Sequence, residues 1–180
     1  MGMLLEMNQL LKVDINYFDE SFRSQVAPTA SGFLQQLDGL SIFDIKGVDQ
    51  SRNRVITTLI HGNEPSGFIA SHWWLRNDKI PATNIRIIIC NPEAAKTKPI
   101  FSNRYLAHEK DLNRFFSACD SDMSEIALRV RQIKQAVAGA MKYPPIRWQK
   151  MDYMNLLVES SFSIIIQIES KYIVILCELN

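Results

Sequence analysis

The run His61-Gly62-Asn63-Glu64-Pro65-Ser66-Gly67 places an imidazole and a carboxylate three positions apart. At a strand-to-helix turn, both side chains can point at one spot beyond the strand's carboxyl edge, where open α/β sheets place their sites. Imidazole and carboxylate are two of the ligand types of a His2Glu catalytic zinc site, which keeps a position open for water. The bare spacing also arises by chance, so a second reading stands beside it: His61 as a strand-end residue, with Glu64 favouring the positive end of the helix that follows. A second constellation lies further on, in Asn91-Pro92-Glu93-Ala94, Arg104-Tyr105 and Asp111-Leu112-Asn113-Arg114-Phe115. Guanidinium groups clamp carboxylates with paired hydrogen bonds, so Arg104 and Arg114 on one polar loop suit an acidic small molecule, and Asn113 adds an amide for a carbonyl or carboxylate. Equally open is a loop in which Asp111 simply pairs with Arg114 while Phe115 and Phe116 anchor it to the core.

These residues need elements to position them. Arg54 to Ile60 (RVITTLI) is rich in β-branched residues and reads as a mostly buried strand ending at His61. Pro65 to Asn77 reads as the following helix, with Pro65 suited to its first turn. Ile85 to Cys90 (IRIIIC) is a second buried strand, closed by Asn91-Pro92. Strand, helix and strand in that order predict an α/β sheet with right-handed crossovers. Upstream, Leu40 to Lys46 alternates like a strand and Asp49 to Asn53 reads as a polar turn. Residues 17 to 38 read as short helical pieces, broken near Pro28 and restarted at Thr29 or Ser31 with Phe33, Leu34 and Leu37 on one side. Asn91 to Asp120 is long and loop-like, a length that marks a functional segment. Ser121 to Met141 is an amphipathic helix, with Ile126, Val130, Ile133 and Val137 on one stripe and Ser121 or Ser124 as its cap.

Composition bounds the partners. The 180 residues are 47% hydrophobic and 22% charged, enough for one domain with a core, and a net charge of +1 provides no global field towards nucleic acid or membranes. Six basic side chains and no acid fall between residues 126 and 151, a run read as the solvated face of the helix, and no nucleic-acid motif accompanies it. Three cysteines, odd in number and without a CxxC pair, fit a reduced, cytoplasmic chain. No signal peptide is expected, because Glu6 interrupts the apolar N-terminus and no basic leader precedes it. No membrane span is expected either, because Gln167, Glu169 and Lys171 interrupt the most apolar stretch, Ser163 to Leu179.

Taken together, HGNEPSG, NPEA, RY and DLNRFF resemble the succinylglutamate desuccinylase/aspartoacylase family, relatives of zinc carboxypeptidases, across roughly Leu40 to Val137. The resemblance implies an α/β fold with a zinc-carboxypeptidase-like mixed sheet flanked by helices, here incomplete at the C-terminus. It implies Zn2+ as cofactor and His61 and Glu64 as its first two ligands. It implies that Arg104 takes part in substrate recognition and that Asn113 and Arg114 hold the substrate's carboxylate end. The implied reaction is hydrolysis of the amide bond of an N-acyl amino acid or similar small carboxylate-bearing substrate, with a later glutamate as general base.

The same pattern departs from this chain after the long helix. The family's third zinc ligand is a histidine at the end of a buried strand, whereas this chain has only His61, His72 and His108. His72 falls on the helix beside Phe68 and Leu75 and reads as packed there. His108 sits in the Arg104–Arg114 loop and matches no family ligand. Glu169, at the end of the apolar strand Ser163 to Glu169, is a conceivable replacement, and a strand-end carboxylate is the plain alternative. No residue here matches the general-base glutamate. The last thirty residues hold eighteen hydrophobic residues and lack Gly, Pro, Ala, Arg and His, which sets them apart from the rest. The expected organisation is therefore residues 1–142 as the N-terminal part of a deacylase catalytic domain and 143–180 as a divergent tail with one or two strands. Truncation, a frameshift near Ala140 to Trp148 and a natural short variant all fit that shift. The functional alternative to a working deacylase is a non-catalytic fragment or pseudoenzyme that retains carboxylate or partner binding.

Overall fold

The computed structural model describes residues 15–117 and 122–140, together with the backbone of residues 162–166 and 175–179. In chain order the elements are β1 (Ile15–Phe18), a 3-10 turn (Glu20–Gln25), α1 (Ala30–Gln35), β2 (Leu40–Ile45), β3 (Asp49–Thr58), α2 (Ser66–Arg76), β4 (Thr83–Ile89), α3 (Pro92–Lys96), a second 3-10 turn (Leu112–Arg114), α4 (Glu125–Gly139), β5 (Phe162–Ile166) and β6 (Ile175–Leu179). The strands form one sheet in the order β1-β2-β4-β3-β6-β5. β1 pairs with β2, and β3 with β4, in parallel; the β2–β4, β3–β6 and β5–β6 pairs are antiparallel. The fold is thus mixed α/β, with α2 making the crossover between the parallel neighbours β3 and β4.

The near-continuous apolar runs are explained by cover on both faces of the sheet. Phe43, Ile45, Ile87 and Ile89 turn to one side and pack with Phe33, Leu34 and Leu37 near α1 and with Phe68 and Leu75 of α2. Leu40, Ile42, Ile88 and Cys90 turn to the other and meet Val130, Ile133, Ala136 and Val137 of α4. The stripe read from the sequence of α4 is therefore its packing face, and Ser124 caps it by accepting the Ala127 N–H. Arg86 ties the layers: its Nε and Nη2 donate to the two oxygens of Asp44 at 2.6 and 2.5 Å, and Nη1 donates to the Ala136 carbonyl at 2.8 Å.

Three expectations are corrected. Residues 17 and 18 are not helical: they belong to β1, because Phe18 stacks on Phe43 (4.6 Å between centroids) while its backbone pairs with β2. Asp49 to Asn53 is not only a turn but the start of β3. Asp49 Oδ1 accepts the Ser51 N–H at 3.0 Å, a local turn that shifts the register between Asp49↔Thr83 and Asn53↔Asn84. The 91–120 segment also contains a helix, α3, which Asn91 caps through the Ala94 N–H with Pro92 at its first position. His72 is packed as read: 8% exposed, stacked on Phe33, with Nε2 2.8 Å from the Ala27 carbonyl. The strand before Glu169 ends at Ile166, and Glu169 and the 142/143 boundary lie outside the described residues. Among the described residues, no helix is long and apolar enough to cross a membrane.

Phe33 is fully buried with Phe43, Phe68 and His72 around it. Phe33→Ala should cost about 3 to 5 kcal/mol in urea unfolding, whereas Trp73→Ala, at a 61% exposed position, should stay within about 0.5 kcal/mol; equal losses would contradict this core. The hydrogen bonds from Ser51 and Arg52 hold the Asp49 carboxyl down at about 2. Its charged form should therefore favour the folded turn above the usual carboxylate range, and that preference should fade as pH falls towards 2. A carboxyl-carbon NMR titration should show this low midpoint and its rise in Ser51→Ala; an ordinary midpoint in the parent chain would contradict the turn.

Candidate active site

β3 ends in a tight left-handed step. Leu59, 2% exposed, sits at φ 51°, a conformation that costs a non-glycine residue about 1 to 3 kcal/mol and is held here by the buried side chain. The step turns His61 inward, where it is 1% exposed. Gly62 follows at a point where three segments meet. Its N–H donates to the Arg104 carbonyl at 3.0 Å. A Cβ here would lie 2.5 Å from the Ala95 nitrogen and 2.6 Å from both the Ala94 carbonyl carbon and the Asn103 oxygen. Only glycine admits that approach. The HGNE turn, the NPEA helix and the RY loop are thus in backbone contact at one residue.

His61 lies between two carboxylates. Its Nε2 is 2.8 Å from Asp111 Oδ1; since the carboxylate only accepts, Nε2 carries the proton. In the neutral ring Nδ1 then presents a lone pair. It lies 3.0 Å from Glu64 Oε2, yet the geometry is not that of a hydrogen bond and the atom is buried without a partner. Two such atoms at that separation can share either a proton or a metal ion. Donors of one tetrahedral zinc ion, each about 2.0 to 2.1 Å from the metal, stand roughly 3.3 Å apart, so His61 and Glu64 fit the ion. With an ion there, Asp111 would be the outer carboxylate that fixes the histidine's tautomer.

Arg104 lies over both acids, with Nε and Nη2 at 3.3 and 3.1 Å from Asp111 Oδ2 and Nη1 at 3.5 Å from Glu64 Oε1. Arg114 is 3.9 Å from Asp111 Oδ2 with its side chain 76% exposed. The Asn113 N–H donates to Asp111 Oδ1 at 3.0 Å. Burial alone would raise the Asp111 carboxyl, but the hydrogen bonds from His61, Arg104 and the Asn113 N–H together hold it below the usual carboxylate range. Cys90, buried at the end of β4, has its thiol pushed up to about 12 by that burial. Burial of this kind disfavours the thiolate.

The structure brings together His61, Glu64 and Arg104, with Asn113 and Arg114 on the adjoining 3-10 turn. His108 instead lines a cavity of about 320 Å3 with Lys110, Phe115 and the first turns of α4, a lining that includes neither His61 nor Glu64. Glu169 lies outside the described residues. β5, however, runs parallel to β3 through their shared antiparallel neighbour β6, so Ile166 ends β5 on the same sheet edge as His61. Sequence reading missed the principal role of Asp111. The Asp111–Arg114 pair is present but loose; the tighter contact is to His61, fifty residues away. Among the described residues, no group of three or more His, Cys, Asp and Glu side chains has metal-binding geometry.

The Succinylglutamate desuccinylase/Aspartoacylase catalytic domain matches residues 50–149, from the start of β3 past the end of α4, and the chain belongs to this family. No curated protein and no solved structure matches the chain significantly.

Because the three backbones leave no room at Gly62, Gly62→Ala should destabilise the fold by about 3 kcal/mol, the upper part of the range for overpacking. Gly139→Ala, whose nearest neighbour is the tip of Arg86 at 3.3 Å, should change stability by less than about 1 kcal/mol. Thermal unfolding of the two variants checks this, and equal stabilities would contradict the crossing.

Proposed function

We propose that the chain is a zinc-dependent deacylase of zinc-carboxypeptidase-like architecture, cleaving the amide bond of an N-acyl amino acid or similar small carboxylate-bearing substrate. The observation that carries the metal part is His61 Nδ1: buried and 3.0 Å from a Glu64 oxygen it does not hydrogen-bond. His61 and Glu64 would hold the ion; the family's third histidine has no counterpart here, and Glu169 is a conceivable replacement beside its plain reading as a strand-end carboxylate. When bound, zinc supplies a Lewis acid that polarises an acyl carbonyl and acidifies water.

The chain's own side chains do the rest. Asp111 keeps the proton on His61 Nε2, so that Nδ1 stays a donor of electrons rather than of a proton. Arg104 and Arg114 carry two positive charges beside Glu64 and Asp111, which balances the cluster near neutrality; an added divalent ion makes it attractive to an anionic substrate. Arg114, exposed and loosely held, receives the substrate carboxylate with Asn113 beside it, and Arg104 orients the acyl portion. The odd cysteine count supports a reduced, cytoplasmic setting for this chemistry.

A second reading has its own observation. With two donors rather than three among the described residues, the site also suits a non-catalytic carboxylate binder built on Arg104, Asn113 and Arg114. Equilibrium dialysis of the full chain separates the two. The deacylase binds about one zinc per chain, loses it in His61→Ala, and weakens about 10- to 100-fold in Asp111→Asn, with release of amine from N-succinyl or N-acetyl amino acids. A chain that takes up no zinc and still binds succinate contradicts the deacylase and supports the second reading.

A further inference from the structure

Glu109 is a carboxylate to which the proposed reaction gives no part, yet it touches three of the segments that build the site. Its side chain is 12% exposed. Oε2 accepts from Asn91 Nδ2 at 3.1 Å and from the Leu106 N–H at 3.2 Å. Oε1 accepts from Arg129 Nη1 at 3.0 Å, and Arg129 projects from α4 with its own side chain 11% exposed. Three donors from β4's end, from the loop and from α4 converge on one group, which explains why an acceptor-only side chain stands there.

The connections run onward from each donor. Asn91 uses its other amide atom, Oδ1, to cap α3 through the Ala94 N–H at 3.2 Å, and Ala94 and Ala95 are the residues pressed against Gly62. Leu106 follows Arg104, whose carbonyl accepts the Gly62 N–H. Glu109 itself precedes Asp111 by two residues, and Asp111 holds His61 Nε2. The two segments that pin Gly62, and the acid that sets His61, are therefore tied together through one carboxylate, with Arg129 as its counter-ion.

We infer that Glu109 is a positioning residue: it seats the 104–111 loop on the capped end of α3, and through that seat fixes Asp111 against His61 Nε2. Arg129 supplies the matching charge from α4. The inference rests on the active-site reading for its relevance to zinc, but the juxtaposition of Glu109, Asn91, Leu106 and Arg129 stands without the metal.

The test uses two double variants of the full chain, because removing one partner of a buried ion pair leaves an uncompensated charge, whereas removing both is commonly tolerated. In Glu109→Gln with Arg129→Met, the amide oxygen still accepts from Asn91 and Leu106. In Glu109→Ala with Arg129→Met, nothing does. Solvent exchange of the His61 Nε2–H is followed by 15N NMR without metal, assigned by its absence in His61→Ala. The Gln chain should keep that proton within about threefold of the parent exchange rate, and the Ala chain should exchange it at least about tenfold faster, with amides of Ile87 to Ile89 unchanged in both. Equal His61 exchange in the two chains would overturn the inference, as would an equal loss of protection across the sheet amides. Zinc titration of the same chains adds a separate readout: affinity should fall at least about tenfold in the Ala chain only. A parent chain that binds no zinc removes the metal reading and leaves the proton measurement to decide the role of Glu109.

Discussion

The site depends on one steric constraint, the absence of a side chain at residue 62. Backbone atoms of Ala94, Ala95 and Asn103 occupy the space that a Cβ would take, and the Gly62 N–H is spent on the Arg104 carbonyl. Three segments distant in sequence are thereby held at van der Waals distance at the carboxyl end of β3. Each brings one kind of chemistry: the imidazole and carboxylate of the turn, the capped helix that closes β4, and the loop of arginines and Asp111. Packing at this density leaves little freedom for any of them to drift, which is how short polar segments on a sheet edge acquire a fixed geometry.

That geometry sets the electronic state of His61. The Asp111 contact favours a proton on Nε2, which in the neutral ring leaves Nδ1 as an electron donor, 3.0 Å from Glu64. A histidine alone at this strand end would be free to take either tautomer. The guanidinium of Arg104 spans the same two acids and limits their mutual repulsion. The cluster is therefore a coupled set of charges, in which substitution of any one member alters the environment of the others.

Much of this frame is legible in the amino-acid order. The β-branched run before His61, the apolar run before Asn91 and the four-three-four spacing of Ile126, Val130, Ile133 and Val137 each dictate an element by periodicity alone, and each appears within a few residues of its expected place. What periodicity does not carry is contact between residues far apart in the chain. Asp111 reads locally as a partner for Arg114, three residues away, because nothing in the sequence says that His61 faces it. Residues 49–53 read as a turn because Asp49 does make a local turn; strand pairing with Thr83 is a tertiary fact superimposed on it. Phe18 follows the same rule, taken into a strand by Phe43 rather than by its neighbours. The α3 helix was, by contrast, within reach, since an Asn cap followed by Pro is a local signal of a helix start. Glu109 carries no such signal: its three partners become neighbours only once the sheet and α4 are assembled.

The proposed function turns on His61 and Glu64, which would hold a zinc ion at the end of β3. Zinc-edge X-ray absorption on the full chain loaded with one equivalent of zinc tests it most directly. The account predicts the scattering signature of one imidazole, with the remaining first-shell atoms oxygen at about 2.0 to 2.2 Å, and disappearance of the imidazole signal in His61→Ala. A spectrum without imidazole, one dominated by sulfur, or one unchanged by the substitution would contradict it.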